Sequence, residues 1–287
     1  MSETDETRSN VESNGGADNE LPKTCEVVTG CTIPVDIFIQ SSDEKLFGAH
    51  TQNLQAFSEG FPMTHDSRKV VWFTESATIL RLFLPFTHNV KPKDLSTLSV
   101  DQLVSLAEVA DKYKNQFALL ACRKAFSHIA GKSSENAMKI LRFKSVHGDF
   151  EEIDDVARLT MGFTVKNAMK VFGQNRESFC IWVQYQESWL KCMEEYRVAV
   201  SEHPDFRVHP TGYKESISCP SLANIVTAME PVVKHLGLRS VDDFERALRI
   251  ARSSPTVHPG CNCRALGLWR ASIHKSLAGL PRWSQFS

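Results

Sequence analysis

Asp36-Ile-Phe-Ile-Gln-Ser-Ser-Asp-Glu-Lys-Leu-Phe-Gly-Ala-His50 is the stretch whose pattern decides the fold. Val35, Ile37 and Ile39 fall on one face of a strand by the two-residue side-chain period. Ser41, Ser42, Asp43 and Glu44 supply turn chemistry, and Leu46 and Phe47 restart the apolar pattern. From His50 onward the spacing turns helical, with Leu54 and Phe57 one turn apart. Two short strands around a polar turn therefore open directly into a helix. No phosphate loop, nucleophile elbow or full metal-ligand box accompanies them, which directs the reading toward a scaffold that binds proteins.

Working outward, residues 1–32 are rich in Ser, Asn, Glu, Asp and Gly and carry seven acids against two bases. Such a segment buries too little apolar surface to offset its ordering entropy, so a disordered acidic arm is expected. On the other side, Val70-Val-Trp-Phe73 predicts a third short strand, and Ser76 caps a helix that Pro85 bends or shortens. Ser99 with Gln102 forms a capping box ahead of Leu103, Leu106, Ala107, Ala110 and Tyr113. Phe117, Leu120, Ala121, Ala125 and Ile129 read as the apolar stripe of the next helix, stopped by Gly131. Further helices are predicted over 134–145, 149–160, 164–172 and 176–198, the last with Trp182, Trp189 and Met193 near one face. Residues 201–212 are dense in turn formers and read as a linker. Beyond them come a helix that Pro231 must kink or restart, one capped by Ser240, and a last one carrying Trp269, Ile273 and Leu277.

The 33 bases nearly balance 34 acids, so no global field favours nucleic acid or an anionic membrane. No run of apolar residues is long enough to span a bilayer, and the polar N-terminus lacks a signal-peptide core. The eight cysteines are irregularly spaced and read as reduced thiols in cytoplasm or nucleus, with Cys122 and Cys180 as core fillers.

The order strand, strand, helix, strand and then helices, with its particular residues, resembles a BTB/POZ domain of the fungal (basidiomycete) type. The matching residues are Asp36-Ile-Phe-Ile39, Leu46-Phe-Gly-Ala-His50, Asn53-Leu54, Ser58-Glu-Gly-Phe-Pro62, Val70-Val71 and Leu103-x-x-Leu106-Ala-Glu-x-Ala110-Asp-Lys-Tyr113. The resemblance implies an α+β fold, a small β-sheet packed with α-helices over 33–131. An all-helical extension follows over 132–200, and a helical region with a cysteine cluster over 213–287. It also implies a non-catalytic adaptor or assembly module that binds other proteins, itself as a homodimer, or a cullin-type ubiquitin ligase scaffold. Asp36, His50, Ser58, Phe61 and Met63 are the candidate partner-binding residues.

Chemistry-bearing residues are few. His258-x-x-Cys261-x-Cys263 with Cys219 upstream can supply imidazole and thiolate to a structural zinc, although these thiols are equally ordinary core fillers. Gly131-Lys132-Ser133 resembles the end of a phosphate loop, but Phe126 stands where its first glycine is required. A Cys–His thiol enzyme is the alternative of another class, and no local signature supports it. Asp36 needs a partner such as His50 or Lys45 if buried, and none if it lies at an exposed strand edge.

Overall fold

The computed structural model describes residues 24–61, 70–88, 90, 93–201, 220–236, 238, 240–255, 257 and 264–286. The architecture is mixed α+β, with eleven α-helices and one three-stranded sheet among the described residues. Two compact units divide it. The first is drawn from residues up to Pro92 together with Lys112–Ala118, and the second from Lys93–Asp111 and Leu119 onward.

In the first unit β1 (Ile37–Gln40) pairs antiparallel with β2 (Leu46–Ala49) and parallel with β3 (Val70–Trp72), in the order β2-β1-β3. The β1–β2 turn closes where Ser41 N–H donates to the Lys45 carbonyl at 2.9 Å, with Glu44 in the left-handed region at φ 63. Two short helices leave this sheet, α1 (Thr51–Phe57) and α2 (Ala77–Phe83). Each has its first amide held by an aspartate next to β1. Thr51 N–H donates to Asp36 Oδ1 and Ala77 N–H donates to Asp43 Oδ1, both at 2.7 Å. A carboxylate at a helix start satisfies an otherwise orphaned donor and complements the helix dipole. The Ser41 hydroxyl, followed by that Ala77 amide, holds the Asp43 carboxyl below its usual range.

Pro85 ends α2 as expected, and the chain tightens into a 3-10 turn over Leu84–Thr87. Phe61, Phe73, Phe83 and Tyr113 pack edge-on or tilted, with centroids 4.8 to 6.1 Å apart. Burial, then the Glu75 carboxylate, pushes the Tyr113 phenol well up from its ordinary value. Asn115 is fully buried and accounts for its polar atoms by donating to Ser58 Oγ and the Phe86 carbonyl and accepting from Ala118 N–H.

The second unit is helical. It holds α3 (Val100–Lys112) up to Asp111, α4 (Gln116–Ala130) from Leu119, then α5 (Ser134–Val146), α6 (Ile153–Leu159), α7 (Val165–Phe172) and α8 (Arg176–Ser201). After them come α9 (Pro220–Leu236), α10 (Val241–Arg252) and α11 (Arg264–Ala278). The Ser99–Gln102 and Ser240 caps form as read, with Ser240 Oγ accepting from Asp243 N–H at 3.1 Å. Trp182 is fully buried and donates to Thr160 Oγ1 at 3.0 Å. Trp269 is fully buried against Phe244 and Tyr196. Lys144 is buried, bonded to Asp149 Oδ2 at 3.2 Å and to the Glu151 carbonyl at 2.6 Å, and Arg123 shares the same Asp149 oxygen at 3.1 Å. Pairing of this kind offsets the cost of removing an ammonium from water.

Several expectations need correction. Phe117 and Leu120 are exposed, and α4 buries Ala118, Leu119, Cys122, Ala125, Phe126 and Ile129 instead. The apolar stripe is rotated by about one residue position relative to the reading, because Leu119 and Phe126 carry the core face. Cys180 is exposed rather than a core filler, while Cys122 is buried. The helix expected from 149 starts at Ile153, since Glu152 sits left-handed at φ 53 just before it. α9 runs through Pro231, so of the kink or restart expected there the restart does not occur. The 201–212 linker falls outside the described residues from 202 onward. No helix among the described residues is long and apolar enough to cross a membrane.

Candidate metal centre

Four side chains from four places in the first unit converge. Cys25, Cys31, His50 and His88 each present one donor atom, and the four atoms lie within 4.8 Å of one another. Cys25 and Cys31 sit in the loop before β1. Gly30, at φ +76, and the bond from Cys31 N–H to the Val28 carbonyl fold that loop back on itself. His50 occupies the junction where β2 becomes α1, and is its N-cap residue. His88 caps the 3-10 turn that Pro85 creates after α2, its amide bonded to the Pro85 carbonyl.

The loop reaches the sheet because of Gly48. A Cβ there would stand 2.8 Å from Val35 Cγ2 and 3.1 Å from the Thr24 carbonyl. A side chain at position 48 would push Val35 and the Thr24 carbonyl off β2.

Both imidazoles are fixed from behind. His50 Nδ1 lies 2.8 Å from the Pro34 carbonyl, and His88 Nδ1 lies 3.2 Å from the Leu84 carbonyl. A carbonyl only accepts, so each Nδ1 carries the proton and each Nε2 offers its lone pair. Those lone pairs face sulfur, with His88 Nε2 3.4 Å from Cys25 Sγ and His50 Nε2 3.3 Å from Cys31 Sγ. The rings meet edge to face at 5.2 Å.

The electrostatics suit a cation. Burial pushes the Cys25 thiol up, and the Val27 and Val28 amides aimed at its sulfur oppose that shift. Those amides supply the outer-shell donors that a bound thiolate needs. Burial lowers the His88 pKa, so its imidazole is held neutral, the form that ligates. Two thiolates would cancel a divalent charge, leaving the buried site neutral. The cluster can hold a metal ion.

The structure distributes the sequence candidates differently. Cys219, His258, Cys261 and Cys263 lie outside the described residues, as does Met63. His50 joins the cluster. Ser58 and Phe61 are buried in the first unit, Phe61 against Phe73 and Tyr113, so neither side chain presents a surface. Asp36 is exposed, and its carboxylate bonds Thr51 N–H in place of the Lys45 or His50 partner considered for a buried acid. Residues 24–32, assigned from sequence to the acidic arm, contain two of the four donors, with Cys25 buried. His88 was not singled out at all. The usable signal is a pair of cysteines six positions apart, flanking a turn-forming Thr-Gly ahead of the first strand.

No protein family, curated protein or solved structure matches the chain in sequence or fold comparison.

Proposed function

We propose that this chain is a non-catalytic protein-interaction module: a BTB/POZ-like unit fastened by one structural zinc ion and continued by helices. The carrying observation is the complete Cys2His2 donor set of Cys25, Cys31, His50 and His88. Zinc with four protein ligands is tetrahedral and closed, whereas a catalytic zinc keeps a position for water or substrate. Bonds of about 2.3 Å to sulfur and about 2.0 Å to nitrogen give a tetrahedral sulfur-to-nitrogen edge of about 3.5 Å. The observed pairs, at 3.4 and 3.3 Å, are already at that spacing. Mixed thiolate and imidazole in this geometry select zinc over the hard cations, which prefer oxygen.

The partner surface is supported by exposed aromatic side chains on the same unit. Trp72 on β3 is 70% exposed, and Phe117, 62% exposed, meets Phe57 edge-on at 5.6 Å. Aromatic residues of this kind anchor protein interfaces. The resemblance in element order, strand-strand-helix-strand-helix, supports the BTB/POZ-like assignment of the unit.

Two measurements test the reading. Metal analysis of protein purified without metal-affinity resin should find about one zinc per chain, falling below a tenth in a His50→Ala, His88→Ala double variant. Less than a tenth of an equivalent in the wild type removes the zinc. Capture of partners from native cells, compared with a Trp72→Ala, Phe117→Ala variant, should lose a specific protein. Identical captures would remove the surface.

A further inference from the structure

We propose that the zinc centre is a thiol redox switch, in which oxidation of Cys25 and Cys31 to one disulfide expels the metal and releases the cysteine loop from the two histidines. The inference rests on the zinc reading above and concerns its regulation. Three features carry it. The two sulfurs belong to one short loop and lie within 4.8 Å of each other, close enough that a local shift of that loop brings them to the bonding distance of about 2.05 Å. The two sulfurs differ in access: Cys31 is partly exposed and Cys25 is buried. The histidines, by contrast, are each anchored through Nδ1 to a carbonyl and stay behind when the thiolates leave.

The oxidant is hydrogen peroxide. The accessible Cys31 thiolate attacks the peroxide oxygen, breaking the O–O bond and giving a sulfenic acid and hydroxide. The Cys25 thiolate then attacks the Cys31 sulfur, forming the S–S bond and expelling a second hydroxide. Two electrons pass from the two sulfurs to the peroxide, and two solvent protons convert the hydroxides to water. Zinc keeps only two neutral imidazoles and dissociates.

Trypsin cuts after Lys23 and Lys45, so Cys25 and Cys31 fall in one peptide of otherwise uncleaved sequence. Zinc-loaded full-length protein is treated with increasing hydrogen peroxide, free zinc is read with a chromogenic chelator, and thiols are mapped by alkylation and mass spectrometry. The expected result is release of one zinc for each 24–45 peptide that becomes lighter by two hydrogens and refuses alkylation. Dithiothreitol with added zinc should restore both. The exposed Cys180 thiol serves as the internal standard. Retention of zinc and of both free thiols at a dose that oxidises Cys180 overturns the switch while leaving the zinc reading intact. Zinc release with the 24–45 peptide still reduced overturns it as well. Absence of zinc before peroxide is added removes both readings together.

Discussion

The first unit has three strands of at most four residues and two helices of seven, whereas the second contains helices of 26, 17 and 15 residues. Three of the largest fully buried side chains, Trp182, Trp269 and Trp283, all belong to the second unit. The Cys2His2 cluster belongs to the first. Short elements close over little apolar surface relative to the backbone they must order, and a metal adds stability where a core is small. Long helices with tryptophan cores have no such need. The contrast is that the first unit joins a cluster able to hold a metal to its buried aromatic core, whereas the second is built on burial among long helices.

The sharpest way to break that contrast is to remove the proposed metal. Structural zinc contributes on the order of 10 kcal/mol or more in small domains, so its loss should dominate any single substitution. With a strong chelator, hydrogen exchange should accelerate across 24–61 and 70–88 while α10 and α11 keep their protection. Equal acceleration in both units would show that the second depends on the metal too, and the comparison would fail.

The reciprocal experiment empties the other core. Trp269→Ala deletes a fully buried indole packed on Phe244 and Tyr196, at 5.2 and 5.6 Å between ring centroids. A loss of about 3–5 kcal/mol is expected, seen as a lower denaturant midpoint for exchange in α10 and α11. Zinc content should stay unchanged. A parallel loss of zinc would show that the centre is built on the helical core.

Legibility followed the range of the forces involved. The β1–β2 pair, α1, the capping boxes and most helix spans were readable because side-chain period and caps act within a few residues. The α4 stripe was misread because two apolar faces, Phe117–Leu120–Ala121 and Ala118–Leu119–Cys122, compete on the sequence, and only tertiary packing chooses between them. The metal centre was not legible as a unit. Its cysteines lie in a polar segment that composition assigns to an arm, and its histidines are 38 positions apart, each placed by a different helix end. Gly48 admits Val35 and the Thr24 carbonyl close onto β2, and a glycine in a strand does not announce what will lie on it.

The smallest effect refines the comparison from the polar side of the second unit. Glu245 takes Arg270 in a two-point pair at 2.6 and 2.8 Å and His274 Nε2 at 2.6 Å, joining α10 to α11. Burial pulls the Glu245 carboxyl upward, but Arg270 and then His274 outweigh it, and the net pKa lies below the ordinary 4.5. A carboxyl with a depressed folded pKa stabilises the folded state above its unfolded value, and that stability is lost as pH falls through the folded one. The thermal midpoint of the second unit should therefore be higher in wild type than in Glu245→Gln near neutrality, with the gap closing below pH 4.5. Because Arg270 is 47% exposed, the gap should not exceed about 1 kcal/mol and should shrink with added salt. A gap that persists unchanged at low pH would mean that Glu245 acts through packing, and that the second unit owes its α10–α11 contact to burial alone.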